Sequence, residues 1–460
     1  MSGRPTQGHG RRRTARGAAY DLLHAVHADD AYANIAMSEI LSKARLETRD
    51  AALATELAYG TLRWQGLYDA ILAACVDRPL ADLDGRVLDV LRMGVHQVVG
   101  MRVPAHAAVD ETVSLARDVA GDGPAKLVNA VLRKVVDGGD LVAWTSRVAR
   151  GDEPEALAIA TSHPRWIVSA LGQALSAHPP SGDPGSRSLR ALLDADNAPV
   201  RPALVARPGR ISVDELTALP GIEAGRWSPY AAVLHEGRPE LLAPVRDGRA
   251  GVQDEGSQLV AHAVATAPLD GRDMSWVDLC AGPGGKAALL ASLAEQRGAR
   301  VTAVELHPHR ADLVRSVIGP GHDVIVGDGR EAIIPASADR VLVDAPCTGL
   351  GALRRRPEAR WRRTPADLAT LGPLQRSLLA AAIDAVRPGG IVGYATCSPH
   401  VAETDLVVAD VLRRRVDVEQ LDARDLLPGV PDLGDGPAVR LWPHVHGTDG
   451  MYLALLRRTA

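Results

Sequence analysis

The stretch SWVDLCAGPGGKAALLASLAEQRGARVTAVE, residues 275–305, decides how the rest of the chain is read. Val277 to Cys280 is a short apolar run that ends in a Gly-rich turn, Gly282-Pro283-Gly284-Gly285-Lys286. Ala287 to Gln296 favours helix, and a second apolar run, Val301 to Val304, closes on Glu305. The pattern is strand, glycine turn, helix, strand. Glycines let a backbone approach a ligand closely, and a helix N-terminus offers free N–H groups. An acidic residue about 20 positions past such a turn is where folds of this type hold ribose hydroxyls. The stretch reads as a site for a nucleotide-type cofactor.

Two common cofactors fit poorly. A phosphate-binding P-loop needs Gly, four residues, then Gly-Lys-Ser/Thr. Cys280 stands where its first Gly belongs and Ala287 where its Ser/Thr belongs. The dinucleotide fingerprint GxGxxG is matched only as GPGG. S-adenosylmethionine, with a ribose and an adenine but no phosphate, is the remaining candidate.

Outward from this stretch, residues 246–460 alternate strand and helix. A helix is predicted over Gln258 to Ala265. Strands are predicted at 275–280, 300–305, 323–326, 340–344 and 390–396, with shorter runs at 438–443 and 450–456. Strands separated by helices imply a parallel, doubly wound α/β sheet, whose ligands bind at the carboxyl ends of the strands.

Two of those ends carry a cysteine: Val341-Leu342-Val343-Asp344-Ala345-Pro346-Cys347-Thr348-Gly349 and Val392-Gly393-Tyr394-Ala395-Thr396-Cys397-Ser398. A lone cysteine is more often a small buried hydrophobe than a nucleophile. Two beside a cofactor turn point to chemistry on a cytosine ring. Carbon 5 of cytosine is a poor nucleophile until a thiolate adds to carbon 6 and makes the ring enamine-like. A second group must then remove the carbon 5 proton so that the thiolate can leave. An acidic group near ring nitrogen 3 and the exocyclic amine stabilises the developing charge, and Asp344 is placed for that.

Residues 14–137 read as all helix, with apolar residues at helical spacing in about six segments. Residues 138–250 are less regular. They contain a Pro/Gly/Ser-rich stretch, His178 to Ser186, and a small αβ element around Val200 to Ala206 and Ile211-Ser212-Val213. Residues 1–13, MSGRPTQGHGRRR, read as a disordered basic tail, either frayed or attracting RNA.

With these pieces in hand the chain resembles the bacterial small-subunit ribosomal RNA cytosine-5 methyltransferases of the B type. DLCAGPGGK (278–286), DAPCTGLGALRRRPEARWRR (344–363), YATCS (394–398) and DGMYLALL (449–456) carry the likeness in the C-terminal part. ELAYGTLRW (56–64), VLRMGVHQV (90–98), VPAHAAVDETVSLAR (103–117) and LVNAVLRKV (127–135) resemble a NusB-like RNA-binding domain. The resemblance implies four parts: the tail 1–13, a NusB-like domain 14–137, a linker with a small α/β RNA-binding subdomain 138–250, and a Rossmann-like methyltransferase domain 251–460. It implies S-adenosyl-L-methionine as cofactor, with Cys397 as nucleophile and Cys347 assisting product release. Cofactor-binding positions would be Cys280, Ala281, Gly282, Pro283, Gly284, Gly285, Lys286, Glu305, Asp328 and Asp344. Glu305 replaces the commoner Asp and keeps the carboxylate. Lys286 reads equally as a surface lysine at a helix start. The basic run Arg354, Arg355, Arg356, Arg360, Trp361, Arg362 and Arg363 is expected to track the RNA strand, since arginine pairs with phosphates and stacks on bases.

The net charge of −4 makes any RNA contact local rather than global. The four cysteines show no metal spacing, no apolar run reaches membrane-spanning length, and residues 1–17 lack the apolar core of a signal peptide. A cytoplasmic monomer acting on small-subunit ribosomal RNA, without metal or membrane, is expected. The alternatives are a methyltransferase of another RNA such as tRNA, a DNA cytosine-5 enzyme using Cys347 as nucleophile, and a non-catalytic RNA-binding assembly factor.

Overall fold

The computed structural model describes residues 14–101, 103–180 and 186–460. The basic tail 1–13 and most of the Pro/Gly/Ser-rich stretch lie outside the described residues. The chain divides into two compact units. One runs to Ser169 and takes in Leu353–Arg362; the other comprises Ala170–Ala352 and Arg363–Ala460.

The first unit is helical. Its helices are Ala15–Ala28, Ala33–Ala44, Thr48–Arg63, Gln65–Ala73, Gly85–Val95, Ala105–Ala120 and Asp122–Asp137, followed by Leu141–Val148 and Glu153–Ala160. Between the first two helices Asp30 takes a left-handed backbone (φ 53°), which separates them. Aspartate is among the few residues that tolerate this conformation. Side chains cap the helix starts: Thr14 Oγ1 accepts from Gly17 N, and the carboxylates of Asp84, Asp140 and Asp152 accept from the first turns they precede. One face of each amphipathic helix feeds a shared core that includes Leu22, Leu57, Tyr68, Leu91 and Leu132.

Leu353–Arg362 belongs to this unit because its polar groups are spent inside it. Arg360 is fully buried, and its Nη1 donates to the carbonyls of Arg63 (2.9 Å) and Ser162 (3.1 Å). Arg362 Nη2 donates to the carbonyls of Val26 (2.7 Å) and Ala31 (2.8 Å). The buried Glu358 accepts from Ala33 N at 3.2 Å. The expectation that Arg360 and Arg362 face RNA is thus corrected. Both guanidiniums satisfy carbonyls at helix ends, a demand that a charge run in a sequence does not reveal. Removing Arg360 leaves two buried carbonyls without a donor, at about 1–3 kcal/mol each. Arg360→Met is therefore expected to lower the thermal midpoint of the helical unit by several degrees, measured by circular dichroism.

The second unit opens with a small antiparallel sheet of order β2-β3-β1-β4, where β1 is Ala203–Ala206, β2 Ile222–Ala224, β3 Ala231–Leu234 and β4 Ala250–Val252. Ile211-Ser212-Val213 is not strand. Ser212 and Glu215 form a reciprocal capping box that starts the helix Val213–Thr217.

The larger sheet contains β5 (Ser275–Asp278), β6 (Arg300–Glu305), β7 (Asp323–Val326), β8 (Ala338–Asp344), β9 (Val386–Thr396), β10 (Val418–Leu421), β11 (Val439–Leu441) and β12 (Met451–Arg458). Its order is β10-β12-β9-β8-β5-β6-β7, with β11 also pairing β12. The five strands β7-β6-β5-β8-β9 are parallel, as expected. The C-terminal strands are not: β12 runs antiparallel to β9, and β10 and β11 are antiparallel to β12. Only residues 442–450 separate β11 from β12, too few for the crossover that parallel pairing requires. Buried layers cover both faces. Leu259, Leu290 and Leu453 belong to one; Leu379, Ile383 and Val408 belong to the other. The chain runs from β5 to β6 in one direction and reaches β8 in the other, so β5 is the switch point where a ligand crevice forms.

Candidate active site

The carboxyl ends of β5, β6, β8 and β9 meet around the switch point. β8 and β9 are parallel neighbours in a register that sets Asp344 beside Ala395. Cys347 lies three residues past Asp344 and Cys397 two past Ala395, so both turns leave the sheet at one level. The result is a Cys347 Sγ to Cys397 Sγ distance of 3.4 Å. Cys347 is buried and Cys397 half-buried. The hydrogen bond to Cys397, followed by burial, pushes the Cys347 thiol well above its usual range. The Cys347 thiol is thus held protonated, and either sulfur can be the donor in the contact between them.

Backbone contacts hold the Cys397 turn. Gly351 N donates to the Cys397 carbonyl at 2.9 Å, and Gly450 N donates to the Gly351 carbonyl at 2.7 Å. A Cβ on Gly351 would stand 1.9 Å from the Gly450 oxygen, so only glycine permits this three-way packing.

Lys286, in the first turn of the helix Gly285–Glu295, reaches Asp344: Nζ to Oδ2 is 2.8 Å. Burial would lower the lysine, but the charge and hydrogen bond of Asp344 outweigh it, and its ammonium is held above the ordinary range. The reading of Lys286 as a mere surface lysine fails on its side-chain exposure of 10%.

Glu305 ends β6 and is buried. Its carboxylate accepts from Gly282 N (3.0 Å) and His307 N (3.0 Å), and Arg310 lies 3.6 Å away. A Cβ on Gly282 would fall 2.1 Å from Glu305 Oε2, which explains why a glycine stands there. Gly284 has φ 115° and a Cβ there would meet Val317 at 2.6 Å. Ala281 is buried and Pro283 and Gly285 are exposed at the rim of the same turn.

Asp278 was not singled out in the sequence. It is completely buried at the end of β5, and its Oδ2 has no hydrogen-bond partner. Burial, then the charge of Asp344, pushes its carboxyl up to about 7. Cys280 is held well above the usual thiol range by burial and then by the carboxylates of Asp278 and Asp344. Asp328 stands apart: its two oxygens face the Arg330 guanidinium, with Oδ1 2.9 Å from Nε. Its expected contact to adenine would compete with that pair.

These groups fit S-adenosylmethionine. One buried oxygen of Asp278 has no donor, and glycine at 282 lets the turn close directly onto the Glu305 carboxylate. Glu305→Ala is expected to weaken cofactor binding by about 1–3 kcal/mol, the loss of a charge-assisted hydrogen bond. Isothermal calorimetry showing unchanged affinity would remove Glu305 from the site.

Of the remaining run, Arg354, Arg355 and Arg356 are half-buried, and Trp361 is 37% exposed. Arg356 lies over the Tyr32 ring at 5.9 Å. Arg363 Nη1 sits 4.0 Å from Asp367. Among the described residues no helix is long and apolar enough to cross a membrane.

Comparisons with known proteins agree with this geometry. A family model described as 16S rRNA methyltransferase RsmB/F matches residues 264–457, and a NusB family model matches residues 13–137. The provisionally named methyltransferase Rv1407 of Mycobacterium tuberculosis is 51% identical over 451 residues, 96% of each chain. Ribosomal RNA small subunit methyltransferase B of Pseudomonas syringae pv. tomato is 32% identical over 464 residues, again 96% of each. The crystal structure of PH0851 superposes with a TM-score of 0.79 over 100% of both chains at 22% identity, a likeness in fold.

Proposed function

The chain belongs to the 16S rRNA methyltransferase RsmB/F family, with a NusB-family region on its N-terminal side and S-adenosylmethionine as the family's cofactor, and from this we propose that it methylates carbon 5 of a cytidine in 16S ribosomal RNA. The observation that carries the reading is the thiol pair, 3.4 Å apart at the ends of two adjacent parallel strands. A single nucleophile would need no such partner.

When bound, the cofactor supplies a methyl group on a sulfonium. Asp278, the 280–286 turn and Glu305 would hold it, Asp278 through the oxygen that now lacks a donor. Asp328 is proposed toward the adenine. Cys397 adds to carbon 6 of the cytosine as a thiolate. Asp344 accepts from the exocyclic amine, and the Lys286 ammonium beside it offsets charge spreading over the ring. Once Cys397 is a neutral thioether, the main influence raising the Cys347 thiol is gone. Once the Cys347 thiol has given its own proton to solvent, the thiolate takes the carbon 5 proton; the freed electron pair re-forms the C5–C6 double bond as the C6–S bond breaks and Cys397 leaves as thiolate. Arg354, Arg355, Arg356, Trp361 and Arg363 are proposed to contact RNA. The target base must be extruded to reach these sulfurs.

The test is methyl transfer from labelled S-adenosylmethionine to unmodified 16S ribosomal RNA, followed by mapping of 5-methylcytidine. One modified cytidine is expected. Label in tRNA but not in 16S RNA would change the target, and label in neither would overturn the reading.

A further inference from the structure

Glu403 lies on a short turn, Val401–Glu403, beyond Cys397, and is fully buried. Its Oε1 accepts from Thr348 N at 2.8 Å and from Gln375 Nε2 at 3.1 Å. Its Oε2 accepts from Thr348 Oγ1, which also meets Ser398 Oγ at 3.1 Å. Gln375 Nε2 further donates to the Pro346 carbonyl at 2.8 Å, and Tyr394 OH donates to the carbonyl of Glu403 itself at 2.8 Å. The residues on both sides of Cys347 are thus tied, directly or through Gln375, to one carboxylate. The residue after Cys397 is tied to the same group through Thr348.

All the donors to the Glu403 side chain are neutral. A buried carboxylate is costly without compensation, and three converging donors are what offsets it. An apolar residue here would fill the space but leave Thr348 N–H buried and unpaired. The carboxylate does not touch the cofactor turn or the cytosine-facing groups.

We infer that Glu403 is a positioning residue for product release: it holds the Pro346–Thr348 turn so that the Cys347 sulfur stays against Cys397 and reaches the carbon 5 proton after the adduct has formed. This rests on the reading that Cys397 attacks and Cys347 assists release. Attack itself needs only Cys397, whose turn is held separately by Gly351 and Gly450. Loss of Glu403 therefore affects the second half of the reaction. Its negative charge also contributes to holding the Cys347 thiol protonated before attack.

The experiment compares full-length wild type, Glu403→Ala, Glu403→Gln and Cys347→Ala on unmodified 16S ribosomal RNA with S-adenosylmethionine. It follows single-turnover methylation, steady-state turnover, protein–RNA adduct on denaturing gels, and cofactor affinity. Glu403→Ala is expected to keep single-turnover methylation within a few-fold. It should lose steady-state turnover by about 100-fold and accumulate adduct, because a displaced group of about 1 Å costs this much. Glu403→Gln keeps Oε1 as acceptor and can donate to Thr348 Oγ1, which then turns to Ser398, so it should release product nearly as wild type. If Glu403→Ala does not fold, Thr348→Val replaces it and is read the same way. Equal loss of first turnover and adduct in Glu403→Ala, or no rescue by Glu403→Gln, overturns the inference. Adduct in Cys347→Ala but not in Glu403→Ala overturns the inference alone; absence of adduct in Cys347→Ala overturns the reading beneath it.

Discussion

Cys397→Ala is expected to abolish methyl transfer and to form no covalent complex, whereas Cys347→Ala transfers the methyl group and then stays joined to the RNA. The two sulfurs are in contact, so their surroundings are nearly shared, and what separates them is protonation and exposure. Cys347 is buried, bonded to Cys397 and held well above the usual thiol range. Cys397 is the more exposed of the two. Removing the attacking sulfur removes the covalent route, a loss on the order of 10⁴-fold or more. Removing Cys347 leaves attack possible but takes away the group that accepts the carbon 5 proton. The adduct should survive denaturing electrophoresis and contain one RNA per chain. A DNA-type mechanism predicts the reverse pattern, and a non-catalytic RNA-binding factor predicts no adduct from either variant. An adduct trapped by Cys397→Ala but not by Cys347→Ala would overturn the assignment.

The second large effect is expected at Lys286. Its ammonium lies 2.8 Å from Asp344 and within a cluster that also contains Asp278 and Glu305. Because Asp344 raises the lysine, the ammonium charge is complete up to the ordinary lysine range. It would be lost only as pH rises through the elevated value, so it is constant over the neutral window. Lys286→Met removes the ammonium that pairs with Asp344. The ring charge that develops on attack then meets carboxylates without a counter-charge, and kcat should fall by about 10²–10³-fold. The cofactor is cationic at sulfur, so extra negative charge nearby does not weaken its binding. Steady-state kinetics should therefore show the loss in kcat with KM for S-adenosylmethionine little changed. Asp278 should also titrate higher, since Lys286 lowers it in the wild type. A loss confined to KM for the cofactor would take Lys286 out of the chemistry.

The positions of the cofactor turn, Glu305, Asp344 and the two cysteines were legible in the sequence because each is a local event. Each stands within a few residues of an apolar run of strand length, and the fold class follows from how such runs alternate with helices. The predicted strand at 300–305 is observed with those bounds, as is that at 323–326; at 338–344 and 386–396 the observed strands begin earlier than predicted. The missed strands are short or half-exposed: β10 alternates between intermediate and exposed residues and has no apolar run to announce it.

What only the tertiary structure decided is pairing between distant positions. The register of β8 on β9 sets the two sulfurs in contact across fifty positions of sequence. Glu403 reads in the chain as one acid in a polar stretch, and becomes a buried hub only when Thr348 and Gln375 are brought to it. Asp278 is one residue of an apolar strand until burial and the Asp344 charge beside it raise its carboxyl and leave one oxygen without a donor. The Arg360 side chain looks like every other in its run, yet it is buried because the carbonyls of Arg63 and Ser162 needed a donor. Local sequence determines strand ends, turns and caps, since these rest on backbone preference and hydrophobic period. Which polar group each buried donor or acceptor meets depends on the packing of remote segments, and no local pattern encodes it.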